Sequence, residues 1–362
     1  MMVILCGGGT GGHLIPGIAL AEELVERGVD VFFLVTRRSF DRTQLSKRKF
    51  NFAILPSPQI PHCLSNQIIF PVALISAIMK SILLLKKCRP KIVIGLGGYG
   101  SFPPLVAAKV LHIPYLILEQ NIIPGKVSRL VSRWAVRIYS QWNKPCGFSH
   151  MSAHKIVFSG SPLRKSMVII NKEKAKRFLG LREDKLTLTV MGGSQGAEKI
   201  NQFLISEINY LEKLNSQLQI LHLTGLRDRD IVSLAYKSKN ILTKVIGFTD
   251  KMEYVYSASD IIISRGGAMS INEVAFYKLP AIFIPYPYAS DNHQLANVRE
   301  LEKIGAAKIL EEKYLTNGAI YNIIKNWLSN REILLSISGK MCRFSKSDAR
   351  CFIVNDILKF LM

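Results

Sequence analysis

The chain has no CxxC pair, no Cys/His spacing of the zinc type and no cluster of cysteines. Its six cysteines (Cys6, Cys63, Cys88, Cys146, Cys342 and Cys351) are scattered. That excludes a disulfide framework and reads as reduced thiols in a cytosolic protein. No basic region precedes the first apolar run, and that run is too short for a signal peptide, so export is not expected. No segment is repetitive or disordered in composition. Acidic residues are few: 26 Asp and Glu stand against 48 Lys and Arg, a net charge of +22. The imbalance favours anionic partners, whether nucleotide phosphates, nucleic acid or an anionic membrane face. A basic helix and an aromatic-interleaved basic stripe are both missing, so a nucleic-acid-binding protein is supported by charge alone.

Long apolar runs are absent but for one. Ile68 to Leu85 reads IIFPVALISAIMKSILLL, close to the roughly 18 apolar residues of a membrane span. Pro71 and Lys80 interrupt it, and a span would put two parts of one sheet on opposite sides of a bilayer. A helix with more apolar surface than one core contact needs is expected instead, followed by Lys86, Lys87, Arg89 and Lys91. Apolar face beside cations is the pattern of a peripheral contact with anionic lipid. A well-buried helix is the alternative.

What is present is a globular composition, 48% hydrophobic over 362 residues, a length that suggests two domains. Apolar strand runs alternate with helix patterns almost throughout: VILC, then 31–35, 92–96, 115–118, 136–140 and 156–159. After a polar stretch follow 186–191, 218–223, 241–246, 260–264, 281–285 and 306–310. Continuous β-branched runs separated by helices predict parallel strands covered on both faces, a doubly wound α/β architecture. LTVMGGSQGA, Leu188 to Ala197, restarts the strand–glycine–helix pattern of the N-terminus. Two such units, joined near Gly160-Ser161-Pro162, are expected to face each other across a ligand cleft.

In GGGTGGH, Gly7 to His13, a strand runs through glycines into a helix, an arrangement in which backbone N–H groups face a phosphate. His13 adds a titratable imidazole, so binding and proton transfer can share one loop. The GxGxxG within it also fits a dinucleotide fingerprint. The following strand ends in Thr36-Arg37-Arg38 rather than an acid, which suits only a 2′-phosphate, so an NADP-dependent oxidoreductase is a rival reading. Further glycine turns surround Tyr99 and open SRGGAMSINE, Ser264 to Glu273. A carboxylate one to two turns into such a helix, Glu273, can accept both hydroxyls of a ribose, or be an ordinary first-turn acid. Ser194 in GGSQG is a phosphate donor or a helix cap; Arg164 is a phosphate clamp or a surface cation. Asp228-Arg229-Asp230 has no third ligand and reads as a solvated helix start, so no metal is expected.

GGGTGGH, GLGGYGS, LEQN (118–121), GSPLR (160–164), MGGSQGA, RGGAMSINE and DNHQ (291–294) resemble, in order and spacing, the MurG glycosyltransferases, and the resemblance spans essentially the whole chain. It implies the GT-B fold, with an acceptor and membrane-facing domain over 1–161 plus a helix near 345–361, and a UDP-sugar domain over 162–344. It also implies inverting transfer of N-acetylglucosamine from UDP-N-acetylglucosamine to undecaprenyl-pyrophosphoryl-MurNAc-pentapeptide, with no cofactor. The location implied is peripheral, on the cytoplasmic face of the cell membrane. By motif, Thr10, Gly11 and Gly12 lie at the donor and pyrophosphate region. Asn121 and Gln294 contact the donor sugar; Arg164 and Ser194 contact the diphosphate. Ala268, Met269, Ser270, Ile271, Asn272 and Glu273 surround the uridine, with Glu273 on the ribose, and Thr249 reaches the uracil through its backbone. His13 is the expected base and Glu119 the alternative. Where the family often carries His before EQN, this chain has Leu118.

Overall fold

The computed structural model describes residues 1–56, 64–192, 196–346 and 348–361. The chain divides into two compact units, Met1–Arg164 with Lys346–Met362, and Lys165–Ser345.

Unit 1 contains strands β1 (Met2–Cys6), β2 (Asp30–Val35), β3 (Asn51–Ile54), β4 (Ile92–Gly95), β5 (Tyr115–Glu119), β6 (Arg137–Ser140) and β7 (Ile156–Phe158). They form one parallel sheet in the order β3-β2-β1-β4-β5-β6-β7. Its first helices are α1 (Gly11–Glu26), α2 (Ser39–Lys47), α3 (Leu64–Cys88), α4 (Phe102–Val110), α5 (Lys126–Val131) and α6 (His150–Ala153). β1 shows why the sheet is parallel. Val3 and Leu5 pack with Leu14, Ile18 and Leu24 of α1, whereas Ile4 and Cys6 pack with Leu85 and Leu105 on the opposite face. A strand buried on both faces must be apolar throughout, and helical crossovers supply the cover. Burial also pushes the Cys6 thiol upward, away from its reactive thiolate form.

β3 is the strand that the apolar-run pattern does not predict. It has four residues, lies at the sheet edge, and leaves Asn51 and Ile54 exposed. An edge strand covered on few sides needs no continuous apolar run.

Unit 2 contains β8 (Leu186–Met191), β9 (Leu218–Leu223), β10 (Thr243–Ile246), β11 (Ile261–Ser264), β12 (Ala281–Phe283) and β13 (Lys308–Ile309). Their order is β10-β9-β8-β11-β12-β13, again parallel. The helices are α7 (Lys172–Leu179), α8 (Glu198–Leu211), α9 (Arg229–Lys237), α10 (Met252–Ala258), α11 (Ala268–Phe276), α12 (His293–Lys303), α13 (Ala319–Ser329) and α14 (Arg331–Phe344). One core joins Leu188, Ile220 and Ile263 of the sheet to Ile200 and Leu204 of α8 and to Ile324 and Trp327 of α13.

The last helix, α15 (Ala349–Leu361), belongs to unit 1. Its Ile353, Val354 and Ile357 are fully buried in the core that contains α1. Asp356 pairs with Arg137 and accepts from the Tyr139 hydroxyl at 2.8 Å, tying α15 to β6.

Among the described residues, no helix is long and apolar enough to cross a membrane. Within α3, Ala77, Ser81 and Leu85 are buried, while Val72, Ile75, Met79 and Leu83 are exposed by 69%, 61%, 52% and 64%. Their spacing places these four on one outward stripe of the helix.

Candidate active site

In unit 1 three motifs meet beyond the carboxyl ends of β1, β4 and β5. Gly7 has φ +124°, and a Cβ there would lie 2.5 Å from the Gly97 carbonyl oxygen. Gly97 has φ +95°, and its Cβ would lie 2.8 Å from His13 Nδ1. The glycines thus let two loops close on each other and let the imidazole rest on the second. Gln120, from LEQN, completes the group: His13 Nδ1 lies 3.2 Å from Gln120 Oε1. An amide oxygen only accepts, so Nδ1 is the donor in this pair. Trp142 Nε1 donates to the Gln120 carbonyl at 2.9 Å and fixes the strand end beneath.

Not all the loop N–H groups face outward as a phosphate cradle requires. Gly7 N–H donates to the Leu34 carbonyl at 3.0 Å, and Gly9 N–H donates to Asp41 Oδ2 at 2.9 Å. Asp41 is fully buried and accepts a second bond at 2.9 Å from the Thr36 hydroxyl. Burial pushes its carboxyl above the usual value, against the pull of those two hydrogen bonds. Arg38 donates to the Gly9 carbonyl from the other side. Thr36 and Arg38 therefore brace the loop, and the 2′-phosphate role needed by an oxidoreductase loses two of its three residues. Gly11 and Gly12 lie in the first turn of α1, where N–H groups can be offered to an anion. Thr10 is the exposed N-cap residue.

Glu119 is committed elsewhere. It is 2% exposed, accepts from the Asn121 N–H at 3.0 Å through Oε1, and accepts from the Gly125 N–H at 3.2 Å through Oε2. The carboxylate closes the loop after β5, which sets the position of Asn121. Arg164 is the last residue of unit 1 and half-buried.

In unit 2 the corresponding glycine turn follows β8, with Ser194 outside the described residues. Asn201, one turn into α8, donates to the Thr224 carbonyl at 2.9 Å and to Asp228 Oδ2 at 2.8 Å. Its own oxygen accepts from His222 Nε2 at 3.0 Å, and His222 Nδ1 accepts from the Tyr236 hydroxyl at 2.9 Å. The donor order fixes one tautomer, and desolvation holds the imidazole neutral, with its pKa down to about 3. This buried chain ties the start of α8 to the loop after β9. Asp228 is consequently a bonded residue and only Asp230 is solvated, at 96% side-chain exposure. Among the described residues no group of three His, Cys, Asp or Glu side chains is placed to hold a metal ion.

Glu273 is 9% exposed on α11 and accepts from the Tyr256 hydroxyl at 2.8 Å. Ala268 and Asn272 are buried on the same helix, and Met269 and Ser270 are half-buried. Ile271 is fully buried and part of the core. Gln294 accepts from the Tyr286 N–H at 3.0 Å and so shapes the loop after β12. Thr249, half-buried, accepts from the Lys251 N–H at 3.0 Å in a short turn.

Comparison with known proteins decides the family. The glycosyltransferase family 28 N-terminal and C-terminal domains match residues 3–140 and 187–349. Two relatives are each named UDP-N-acetylglucosamine--N-acetylmuramyl-(pentapeptide) pyrophosphoryl-undecaprenol N-acetylglucosamine transferase. That of Halothermothrix orenii is 34% identical over 98% of both chains. That of Syntrophus aciditrophicus is 34% identical over 99% of this chain and 98% of its own. The crystal structure of Acinetobacter baumannii MurG superposes with a TM-score of 0.80 at 28% identity, covering 99% of each chain. The chain belongs to the MurG family. Its two parallel sheets are the GT-B architecture of that family. A UDP-GlcNAc 2-epimerase from Neisseria meningitidis, solved with UDP-GlcNAc bound, shares the fold alone, with a TM-score of 0.69 at 15% identity over 99% of this chain and all of its own.

Against the MurG pattern, Leu118 is a core residue, 1% exposed, so no proton role resides at that position. Sequence reasoning missed Gln120, although it lies between two residues of LEQN that were selected. It also missed Asp41 and Tyr256, whose surroundings in sequence look like an ordinary helix start and a core aromatic.

Proposed function

We propose that this chain transfers N-acetylglucosamine from UDP-N-acetylglucosamine to undecaprenyl-pyrophosphoryl-MurNAc-pentapeptide, with inversion at the anomeric carbon. The observation that carries this reading is the end-to-end match, 34% identity over 98% of the chain, to a relative named for that transfer. The muramyl C4 hydroxyl attacks the anomeric carbon, a glycosidic C–O bond forms, and the bond to phosphate breaks, with UDP leaving as the anion. His13 Nε2 takes the hydroxyl proton. The Gly11 and Gly12 N–H groups and Arg164 stabilise the diphosphate, joined by Ser194. Asn121 and Gln294 orient the sugar, with Thr10 beside them. Ala268, Met269, Ser270 and Asn272 surround the uridine, Ile271 contributing only backbone, with Glu273 on the ribose and Thr249 against the uracil. Residues 1–161 with the helix near 345–361 serve the acceptor, and residues 162–344 serve the UDP-sugar.

Thermal unfolding with three ligands tests the reading. UDP-N-acetylglucosamine at a hundred times its dissociation constant stabilises by about 2.7 kcal/mol. For a unit of this size that raises Tm by roughly 5–10 °C. NADPH and an oligonucleotide should leave Tm unchanged. Stabilisation by NADPH alone would overturn the proposal, as would failure to move label from UDP-N-acetylglucosamine to the lipid-linked acceptor.

An acceptor with a polyprenyl tail keeps the enzyme at the cytoplasmic face of the membrane, and the outward stripe of α3 suits that surface. Lys80, Lys86, Lys87 and Arg89 are exposed around it. Each cation near anionic lipid adds about 1 kcal/mol, a term that salt screens, whereas apolar insertion persists. Binding to anionic vesicles should therefore weaken but survive at high salt, and Ile75→Glu should weaken it further. Ile78, half-buried, is the wrong place for that charge. If a folded, UDP-binding Ile75→Glu variant sediments with vesicles as fully as the parent, α3 is not the contact.

A further inference from the structure

Glu273 is held from behind by a residue that no motif marks. Tyr256, on α10, is fully buried and aims its hydroxyl at Glu273 Oε2, 2.8 Å away. A carboxylate only accepts, so the phenol is the donor. The ring needs no hydroxyl to hold its place: it stacks on Tyr277 with centroids 5.1 Å apart and planes 17° from parallel. Tyr277 is anchored in turn, its N–H on the Glu273 carbonyl at 3.2 Å and its hydroxyl on the Val168 carbonyl at 2.8 Å.

We propose that Tyr256 is a specificity-determining residue that makes the nucleotide site demand a ribose, acting through Glu273. This rests on Glu273 being the ribose carboxylate. A glutamate side chain turns about three bonds, and a diol is read well only when the carboxylate plane is set before it arrives. The Tyr256 hydroxyl sets that plane. It also gives the buried carboxylate a fixed donor from the protein side. A nucleotide without the 2′-hydroxyl then leaves a fixed, buried acceptor short of a donor, the most discriminating kind of loss. Tyr256 touches no ligand and is a positioning residue.

The test pairs Tyr256→Phe with two ligands, UDP and 2′-deoxy-UDP, measured by calorimetry on the full chain. Stacking on Tyr277 survives the change, so the variant should fold, with Tm lowered by no more than about 5 °C. The parent should prefer UDP by at least tenfold. In Tyr256→Phe, UDP should lose roughly tenfold in affinity, the usual size for a hydrogen bond to a charged group. 2′-Deoxy-UDP should change less than twofold, so the preference collapses. In a Glu273→Gln background the second change should add almost nothing. Equal losses for both nucleotides would mean a merely structural tyrosine and overturn the proposal, as would a preference left intact. A parent that binds UDP but does not distinguish the two would instead remove the ribose role of Glu273, and the proposal with it.

Discussion

His13→Ala should lower turnover by roughly 10²–10⁴-fold, the contribution of a well-placed general base, with UDP-N-acetylglucosamine affinity almost unchanged. The imidazole rests on the Gly97 turn, with Nδ1 at 3.2 Å from Gln120 Oε1. With His13 as the proposed base, its loss should appear in single-turnover chemistry rather than in binding. Glu119→Gln is the matching control. Oε1 and Oε2 of that carboxylate accept loop N–H groups at 3.0 and 3.2 Å, so an amide there should disturb Asn121 and the sugar more than the proton. Normal turnover in His13→Ala beside a folded but inactive Glu119→Gln would reverse the assignment.

Ile357→Asp should be the most damaging single change to stability. Truncating such a fully buried side chain costs about 2–5 kcal/mol, and an unpaired buried charge adds to that. Against a total of about 5–15 kcal/mol, unit 1 should unfold at a Tm lower by more than about 10 °C or fail to accumulate. Leu335→Asp, on α14 and 72% exposed, should shift stability by no more than about 0.5 kcal/mol. Similar melting of the two variants would mean that α15 does not carry the core of unit 1. Next to Ile357 the Asp356 link has its own acid signature. Burial would raise this carboxyl, but hydrogen bonds from Arg137 and Tyr139 outweigh it and hold the pKa below the ordinary value. The link is thus fully present at neutral pH and is lost as pH falls through that lowered pKa.

The elements visible in the sequence are those whose constraint is local. β1 had to be apolar throughout because both faces are covered, and Gly7 and Gly97 had to be glycine because their loops touch. β3 was hidden because an edge strand with Asn51 and Ile54 in solvent carries no such signature. The site divides the same way. Glu273 and His13 stand beside glycine turns and could be picked from spacing. Gln120 meets His13 across 107 residues, and Asp41 meets Gly9 across 32; neither pairing has any trace along the chain. Nothing in the residues of α15 says which unit it joins; that expectation came from the family resemblance.

Because α15 completes unit 1 after the chain has passed through all of 165–345, the order of synthesis and the order of folding differ. Residues 1–164 leave the ribosome first, yet their α1 face stays uncovered while the intervening segment is made. At roughly 5–20 residues per second, that wait is on the order of 10–40 s. Unit 2, being continuous, can fold within it. The earlier-made half therefore matures last, with Leu20, Leu24 and their neighbours exposed to chaperones and to other nascent chains in the meantime.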